Sequence, residues 1–406
     1  MNTEPKNQWH EATKAVRSAI DEDTQFGAVA PPIYLTSNYS FEGYGQKRQY
    51  DYARSGNPTR DQLGQAIGDL ENGCPAVITT SGMGAIHLVC QLLCPDDLII
   101  APHDCYGGTF RLLSSCAEKG AFKLKFMDLT QDDLHEELFK LQPKMILIET
   151  PSNPLLRLTD IKKITEGAKK HQTLVVADNT FLSPIFQKPL DLGADIVVHS
   201  TTKYLNGHGD IVGGAVTAKA PELQEKLAWW GNCIGITGAP FDSYLTLRGL
   251  RTLVPRIEYQ SQTAGDIAIF LENHPAVDKV HYPGLKSHPN HALANAQQTG
   301  FGAMISFELT GTEADIKIFL AELTQKKDGN LFTLAESLGG FESLITHPAS
   351  MTHAAMTPQA RETAGIGVNL LRLSIGLEHI SDLKEALNSA FKALSSSALK
   401  AVSGAE

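Results

Sequence analysis

Between residues 194 and 210 a short apolar run, Ile196, Val197 and Val198, empties into Ser200, Thr201, Thr202 and Lys203 and then a turn bearing Gly207 and Gly209. A β-branched run of this length reads as a buried strand, which puts Lys203 at a strand's end instead of on a polar helix face. Lysine becomes a nucleophile or base when it is desolvated or crowded by other positive charge. Upstream, a second apolar run over 174–177 ends in Asp178, 25 residues before Lys203. One amine and one acid at two strand ends suit a pyridoxal phosphate site, in which lysine holds the aldehyde covalently and aspartate pairs with the ring nitrogen. Two other readings compete. Lys203 is an ordinary solvated lysine, or Ser200 to Lys203 is the S-x-x-K of a serine acyl-transferase. The acyl-transferase reading needs K-T-G and S-D-N elsewhere, and neither string occurs in the chain.

The elements that would position such a site alternate along the chain. Residues 76–80 read as a strand, and Ser81, Gly82, Met83 and Gly84 form a turn that opens a helix to about residue 93. Small residues with free N–H groups at a helix start attract a phosphate. The strand at 98–101 leads to Tyr106 and Arg111; Tyr106 either lies flat on an aromatic cofactor or packs on its own domain. Strands at 122–127 and 144–149 flank a helical stretch at 131–141, and the second runs into Thr150-Pro151-Ser152-Asn153-Pro154, whose prolines aim Asn153 into a cleft. A helix from 159 and the Asp178 strand follow. This alternation implies a mostly parallel sheet covered on both faces, with ligands beyond the carboxyl ends of its strands. Ser81, Tyr106, Asn153, Asp178 and Lys203 all follow strands.

Length and composition bound the rest. A chain of 406 residues calls for two domains. Its 42% hydrophobic and 20% charged content is that of a soluble globular protein, and a net charge of −10 argues against nucleic acid or anionic membrane as partners. No apolar run approaches the roughly 18 residues needed to span a bilayer, and the first eight residues lack an apolar signal core. Six scattered cysteines suit a reducing compartment, so the expected location is cytoplasmic. His87, Cys90 and Cys94 fall at helical spacing among Ile86, Leu88, Val89, Leu92 and Leu93, which reads as a buried helix face, and no metal is expected.

The opening 60 residues are polar and turn-rich and read as an extended arm. Within it, Tyr52 and Arg54 beside Gly56-Asn57-Pro58 form either a surface loop or a phosphate clamp, and an arm can cover a neighbour's site. Beyond Pro255 long amphipathic helices surround what reads as an isolated strand at 302–309, the texture of a second domain. Arg372 lies between leucines in the alternating run 369–376, where an uncompensated charge is costly, so it is expected to hold a carboxylate of the protein or of a substrate. No internal repeat is visible, and 395–406 reads as a small-residue tail that frays.

Four motifs carry a resemblance: Asp51-Tyr52-Ala53-Arg54 running into Gly56-Asn57-Pro58, Pro102-His103-Asp104-Cys105-Tyr106-Gly107-Gly108, Ser200-Thr201-Thr202-Lys203-Tyr204-Leu205-Asn206-Gly207-His208, and Glu336-Ser337-Leu338-Gly339-Gly340. From about residue 15 to 390 the chain resembles the cysteine and methionine metabolism family of fold-type-I pyridoxal phosphate enzymes. Residues 227–238 resemble its synthase branch more than its lyases, although 324–330 is longer than the loop of that branch. The resemblance implies an aspartate aminotransferase-like α/β fold, a mostly parallel seven-stranded sheet with a smaller α+β C-terminal domain. It divides the chain into an arm reaching a neighbouring subunit (1–61), a large cofactor domain (62–260) and a C-terminal domain (261–406). It implies that Lys203 binds the cofactor's aldehyde and moves protons, Asp178 keeps the pyridine nitrogen protonated, and Tyr106 stacks on the ring. Gly82, Met83, Ser200 and Thr202 would hold the phosphate, joined by Tyr52 and Arg54 of a neighbour. Asn153 would contact the cofactor, Arg372 the α-carboxylate, and Arg111, Glu336 and Ser337 the substrate. The implied assembly is a homotetramer, a dimer of dimers with shared sites. The implied activity is trans-sulfuration in methionine biosynthesis, O-succinylhomoserine and cysteine giving cystathionine and succinate, with γ-lyase and O-acylhomoserine sulfhydrylase as the family's alternatives.

Overall fold

The structure is a computed structural model that describes residues 9–131, 135–325, 329–354 and 356–403. The chain divides into two compact units, the first comprising Met1–Pro102, Leu112–Thr150 and Thr159–Pro255, the second His103–Arg111, Pro151–Leu158 and Arg256–Glu406.

The first unit is built on seven strands, β1 (Val77–Thr79), β2 (Leu98–Pro102), β3 (Lys123–Met127), β4 (Met145–Glu149), β5 (Leu174–Asp178), β6 (Ile196–His199) and β7 (Gly214–Ala218), in the order β1-β7-β6-β5-β4-β2-β3. Ile99, Met145, Leu147, Val176 and Val198 enter one hydrophobic cluster while Ile100, Ile146, Ile148, Val175 and Ala177 enter another, so successive residues of each strand are buried on opposite faces. That is why these strands read as continuous apolar runs: a parallel sheet with both faces covered leaves no side wet. β7 is the exception to the expected alternation. It follows β6 without an intervening helix and inserts between β6 and β1, antiparallel to both. The helix expected at 131–141 spans His135–Lys140, residues 132–134 lying outside the described residues.

Local chemistry sets the element ends that matter for the site. Ser81 caps the helix Gly82–Cys90, its Oγ accepting the Gly84 N–H at 3.0 Å, the usual way a hydroxyl satisfies one orphan donor of a first turn. Asn57 caps the helix Pro58–Glu71 and ends the arm, accepting from the N–H groups of Thr59 and Arg60. Residues 24–56 hold only the isolated bridge Asn38↔Tyr52 and a second at Gly43↔Gln46, and they are largely exposed, with Phe26, Leu35 and Tyr44 among their exposed apolar side chains.

In the second unit the strand expected to be isolated at 302–309 belongs to a sheet. Strands β8 (Val277–His281), β9 (Met304–Leu309), β10 (Phe332–Leu334), β11 (Ser343–Thr346) and β12 (Leu370–Ser374) form five strands in the order β10-β11-β12-β9-β8. All neighbours are antiparallel except β10 and β11. β12 is central and all five of its residues are buried, so Arg372 sits inside the sheet opposite Ser306 on β9 and Thr346 on β11. The last helix, Ile380–Ser403, extends into the stretch expected to fray. Among the described residues no group of three or more His, Cys, Asp or Glu could hold a metal ion, and no helix is long and apolar enough to cross a membrane.

Candidate active site

In the first unit, the ends of two strands, β5 and β6, are tied together by hydrogen bonds. Asp178 closes β5, and its Oδ1 accepts the Thr180 N–H at 3.0 Å and the Thr180 hydroxyl at 2.5 Å. The same Thr180 oxygen accepts the Ser200 N–H at 2.9 Å, and Asn179 N–H reaches the Val198 carbonyl at 3.0 Å. β5 and β6 pair in parallel with Asp178 opposite Val198. Lys203 lies in the first turn after β6, its N–H bonded to the Ser200 carbonyl at 3.2 Å and its carbonyl accepting from Gly207 at 2.7 Å. The amine-bearing turn and the acid-bearing strand end are therefore joined through one threonine. Thr180 was not singled out from sequence, although a hydroxyl two residues after an aspartate is a recognised turn signal.

The start of the helix Gly82–Cys90 meets this pair of strands. A Cβ built on Gly82 would lie 2.7 Å from Ser200 Cβ, 2.9 Å from its Oγ and 3.0 Å from its Cα, so only glycine lets the helix start approach Ser200. Helix geometry gives the Gly82 and Met83 N–H groups no partner within the helix. Thr202 is committed to the loop before β7: its Oγ1 donates to the Gly213 carbonyl at 3.2 Å and accepts the Gly213 N–H at 3.0 Å. Burial pushes the Asp178 carboxyl above the ordinary carboxylate range, opposed by the Thr180 hydrogen bonds and the charge of His199. A carboxyl held in this way gains from a cation placed against it. On the face behind it, His199 Nε2 lies 2.6 Å from Glu71 Oε1 and Asn179 Nδ2 donates to the same oxygen at 2.9 Å, all three residues buried.

These residues fit pyridoxal phosphate. Two N–H donors at a helix start beside Ser200 suit a dianionic phosphate, the desolvated acid suits a protonated pyridine nitrogen, and Lys203 supplies the amine. Tyr52 and Arg54 do not join this set through the contacts they make. Arg54 donates from Nη1 to the Asn232 carbonyl at 2.9 Å, and its Cζ stands 5.7 Å from the centre of the exposed Tyr52 ring. Asn232 belongs to the helix Pro221–Ile234, which carries most of the segment read as synthase-like, with Trp229 exposed and Trp230 edge-on to it at 4.9 Å.

In the second unit the expected substrate residues form a different kind of arrangement. Arg372 is only 2% exposed; its Nη1 donates to Asn153 Oδ1 at 2.7 Å and its Nη2 to the Ser337 carbonyl at 3.1 Å. The sequence called for a carboxylate of the protein or of a substrate; these two acceptors are neutral and orient the guanidinium without neutralising it. Ser337 holds its carbonyl there with φ of 98°, a conformation that side chains seldom adopt and that clusters at ligand sites. Asn153 is buried, in a cis peptide with Pro154, and its main-chain carbonyl lies 3.0 Å from Nε2 of the fully buried His353. His353 carried no signal in the sequence. Tyr106, ahead of the helix Gly107–Glu118, is 40% exposed, and Arg111 and Glu336 are exposed. Of the loop read as long, residues 326–328 lie outside the described residues.

Comparison with known proteins identifies the family. A model of the Cys/Met metabolism PLP-dependent enzyme family matches residues 12–392. The chain is 52% identical over 384 residues to the cystathionine gamma-synthase of Escherichia coli K12, covering 94% of this chain and 98% of that protein. It is 48% identical over 379 residues to a cystathionine beta-lyase of Lactococcus lactis subsp. cremoris, covering 92% and 98%. The crystal structure of cystathionine gamma synthase from Xanthomonas oryzae pv. oryzae with aminoacrylate and cysteine superposes with a TM-score of 0.93 at 56% identity, covering 96% of this chain and 99% of that one. The protein is thus an enzyme whose cofactor is pyridoxal phosphate, and the chain belongs to the Cys/Met metabolism PLP-dependent family.

Proposed function

We propose that the enzyme catalyses γ-replacement on O-succinylhomoserine: the Cγ–O bond breaks, succinate leaves with its electron pair, and the sulfur of cysteine, giving up its thiol proton, bonds Cγ to form cystathionine. One observation carries the chemistry, the hydrogen-bonded link from Asp178 through Thr180 to Ser200 in the turn of Lys203. It joins the acid-bearing strand end to the lysine-bearing turn, which supports the pairing of acid and amine that this cofactor requires. When bound, the cofactor supplies an electron sink that lets protons leave Cα and Cβ and a γ-substituent depart. Lys203 would bind its aldehyde and serve as base and acid for those protons. Asp178, desolvated and oriented by Thr180, would keep a proton on the pyridine nitrogen. The N–H groups of Gly82 and Met83 and the Ser200 hydroxyl would hold the phosphate, joined by Thr202 once its hydroxyl turns from the Gly213 carbonyl; Tyr106 would face the ring and Asn153 would border the cofactor. Arg372, oriented by Asn153 and Ser337, receives the substrate α-carboxylate through its planar fork, while Arg111, Glu336 and Ser337 face the rest of the substrate.

The arm over 1–61 reaches a second subunit in this reading, where Tyr52 and Arg54 complete the phosphate site of the cofactor domain (62–260), the remainder (261–406) forming the C-terminal domain. The exposed apolar side chains of the arm support this assembly, a homotetramer of two dimers working in the cytoplasm. The choice of γ-replacement is supported by likeness to two synthases at 52% and 56% identity. The beta-lyase relative at 48% favours a second reading, cleavage of cystathionine by a lyase of this family, and the same residues would also serve an O-acylhomoserine sulfhydrylase. Supplying holoenzyme with O-succinylhomoserine plus cysteine, O-succinylhomoserine plus sulfide, or cystathionine alone ranks the three. The expected result is the fastest succinate release with cysteine; faster breakdown of cystathionine would replace the proposal with the lyase.

A further inference from the structure

We propose that His353 is a positioning residue for substrate recognition: by donating from Nε2 to the main-chain carbonyl of Asn153, it fixes the side chain that orients Arg372. The inference rests on the reading of Arg372 as the carboxylate-binding group.

The ring's hydrogen bonds assign its protons. Nε2 stands 3.0 Å from the Asn153 carbonyl and Nδ1 2.9 Å from Thr352 Oγ1. A carbonyl cannot donate, so Nε2 carries the hydrogen, and Nδ1 accepts from the Thr352 hydroxyl. A neutral ring thereby satisfies both nitrogens. A second proton would have to enter a fully buried site near a guanidinium, and burial first, then the charge of Arg372, pull the His353 pKa down to about 4. The donor is therefore in place at neutral pH.

What the donor holds decides its use. Asn153 begins a short loop whose next carbonyl, that of Pro154, accepts the Ser306 hydroxyl at 2.6 Å. Ser306 is the register partner of Arg372 across β9 and β12. The loop is thus pinned to the arginine's own sheet at residue 154 and to His353 at residue 153. Between these pins the Asn153 side chain reaches Arg372 at 2.7 Å. Releasing either pin lets Oδ1 drift, and a guanidinium fork is unforgiving of such drift when it must meet a carboxylate bidentately.

The test uses holoenzyme and steady-state kinetics of the amino-acid substrate, with the absorption of the bound cofactor and the unfolding temperature followed for each variant. His353→Leu is expected to raise KM about tenfold, the effect of one buried hydrogen bond, with kcat and the cofactor absorption within about twofold of the parent. His353→Gln, whose amide can donate to the same carbonyl, is expected to restore most of the loss. His353→Leu combined with Asn153→Ala is expected to be no worse than Asn153→Ala alone, because the histidine acts through that side chain. An unchanged KM in His353→Leu, equal losses in the Leu and Gln variants, or additive losses in the double variant would each overturn the proposal. Should His353→Leu fail to fold, Thr352→Val carries the test. It removes the hydroxyl that holds the ring at Nδ1, and a KM rise of about threefold supports the proposal whereas none overturns it. Arg372→Ala separates the two levels: an unchanged KM there removes the carboxylate assignment itself, and a raised KM there with an inert His353 removes this inference alone.

Discussion

In the first unit the functional groups stand where strands stop, and their partners lie a few residues away or on the next strand. In the second, Arg372 lies inside a fully buried central strand and takes its partners from residues 153 and 337, with residue 353 one step behind. The first arrangement leaves donors and a desolvated acid that gain from an incoming charged group. In the second, two neutral protein oxygens orient both Nη atoms of the guanidinium before substrate arrives. A phosphate and a ring need a cradle open enough to admit them; a carboxylate needs a fork held still.

The largest effect expected from breaking the first arrangement is at the amine. Lys203→Ala should lose the absorption of bound cofactor and reduce turnover by about 10³-fold or more, since the proposed mechanism assigns both covalent binding and proton transfer to it. Mixing Lys203→Ala with Arg54→Ala subunits then addresses the arm. If Arg54 serves a neighbour, some mixed assemblies carry one intact site and activity returns; two inactive parents that stay inactive together would confine Arg54 to its own chain, where it contacts Asn232.

Acid should separate the two units. His288 and His353 in the second unit each have a pKa held near 4 against an ordinary 6.5, burial being the main cause. The charges of His281, His291 and Lys279 add to it for His288, and those of Arg372 and Arg361 for His353. Both values are depressed, so the unfolded chain takes up protons first. The stability they contribute is present above pH 6.5 and is lost as pH falls toward 4, roughly 3 kcal/mol for each ring. Asp178 in the first unit is shifted the other way, its carboxyl raised, and protonation favours its folded form. Hydrogen exchange of the cofactor-free protein, corrected for intrinsic rate, should lose protection between pH 6.5 and 5 in the peptides around 288 and 353 before those around 178. A uniform loss across both units would contradict this.

How much of this was legible in the sequence follows the same division. Apolar runs ending in Asp178 and in the Lys203 turn are local patterns, and a parallel sheet buried on both faces writes them as continuous hydrophobic strings. β7 escaped because Gly214 and Ala215 carry little of the β-branched signal and no helix precedes it. The second sheet was implied by the family resemblance but not by local pattern: antiparallel strands separated by helices leave no regular alternation along the chain, so β9 read as alone. Arg372 stood out as a charge between leucines, but its partners Asn153 and Ser337 and their support from His353 arise only from contacts spanning 35 to 219 residues. Nothing in a local window distinguishes His353 from a surface histidine.

Two glycines give the smallest and sharpest form of the comparison. Gly82→Ala places a Cβ 2.7 Å from Ser200 Cβ and 3.0 Å from its Cα, so a backbone must move. The expected cost is about 1–3 kcal/mol, and cofactor affinity should fall if the displaced groups hold the phosphate as proposed. Gly265 lies within the helix Leu253–Glu272, and a Cβ there meets only Tyr282, at 3.9 Å from its Oη and 4.0 Å from its Cε1, ordinary contact distances. With no collision to oppose it, the helix preference for alanine decides the sign, a gain of about 0.5–1 kcal/mol, seen as a rise of a few degrees or less in unfolding temperature with cofactor binding unchanged. The same one-methyl change is thus expected to harm one unit and help the other. A Gly82→Ala enzyme that binds cofactor as tightly as the parent would mean that the helix start can retreat from Ser200, and that the close approach there is not what holds the phosphate.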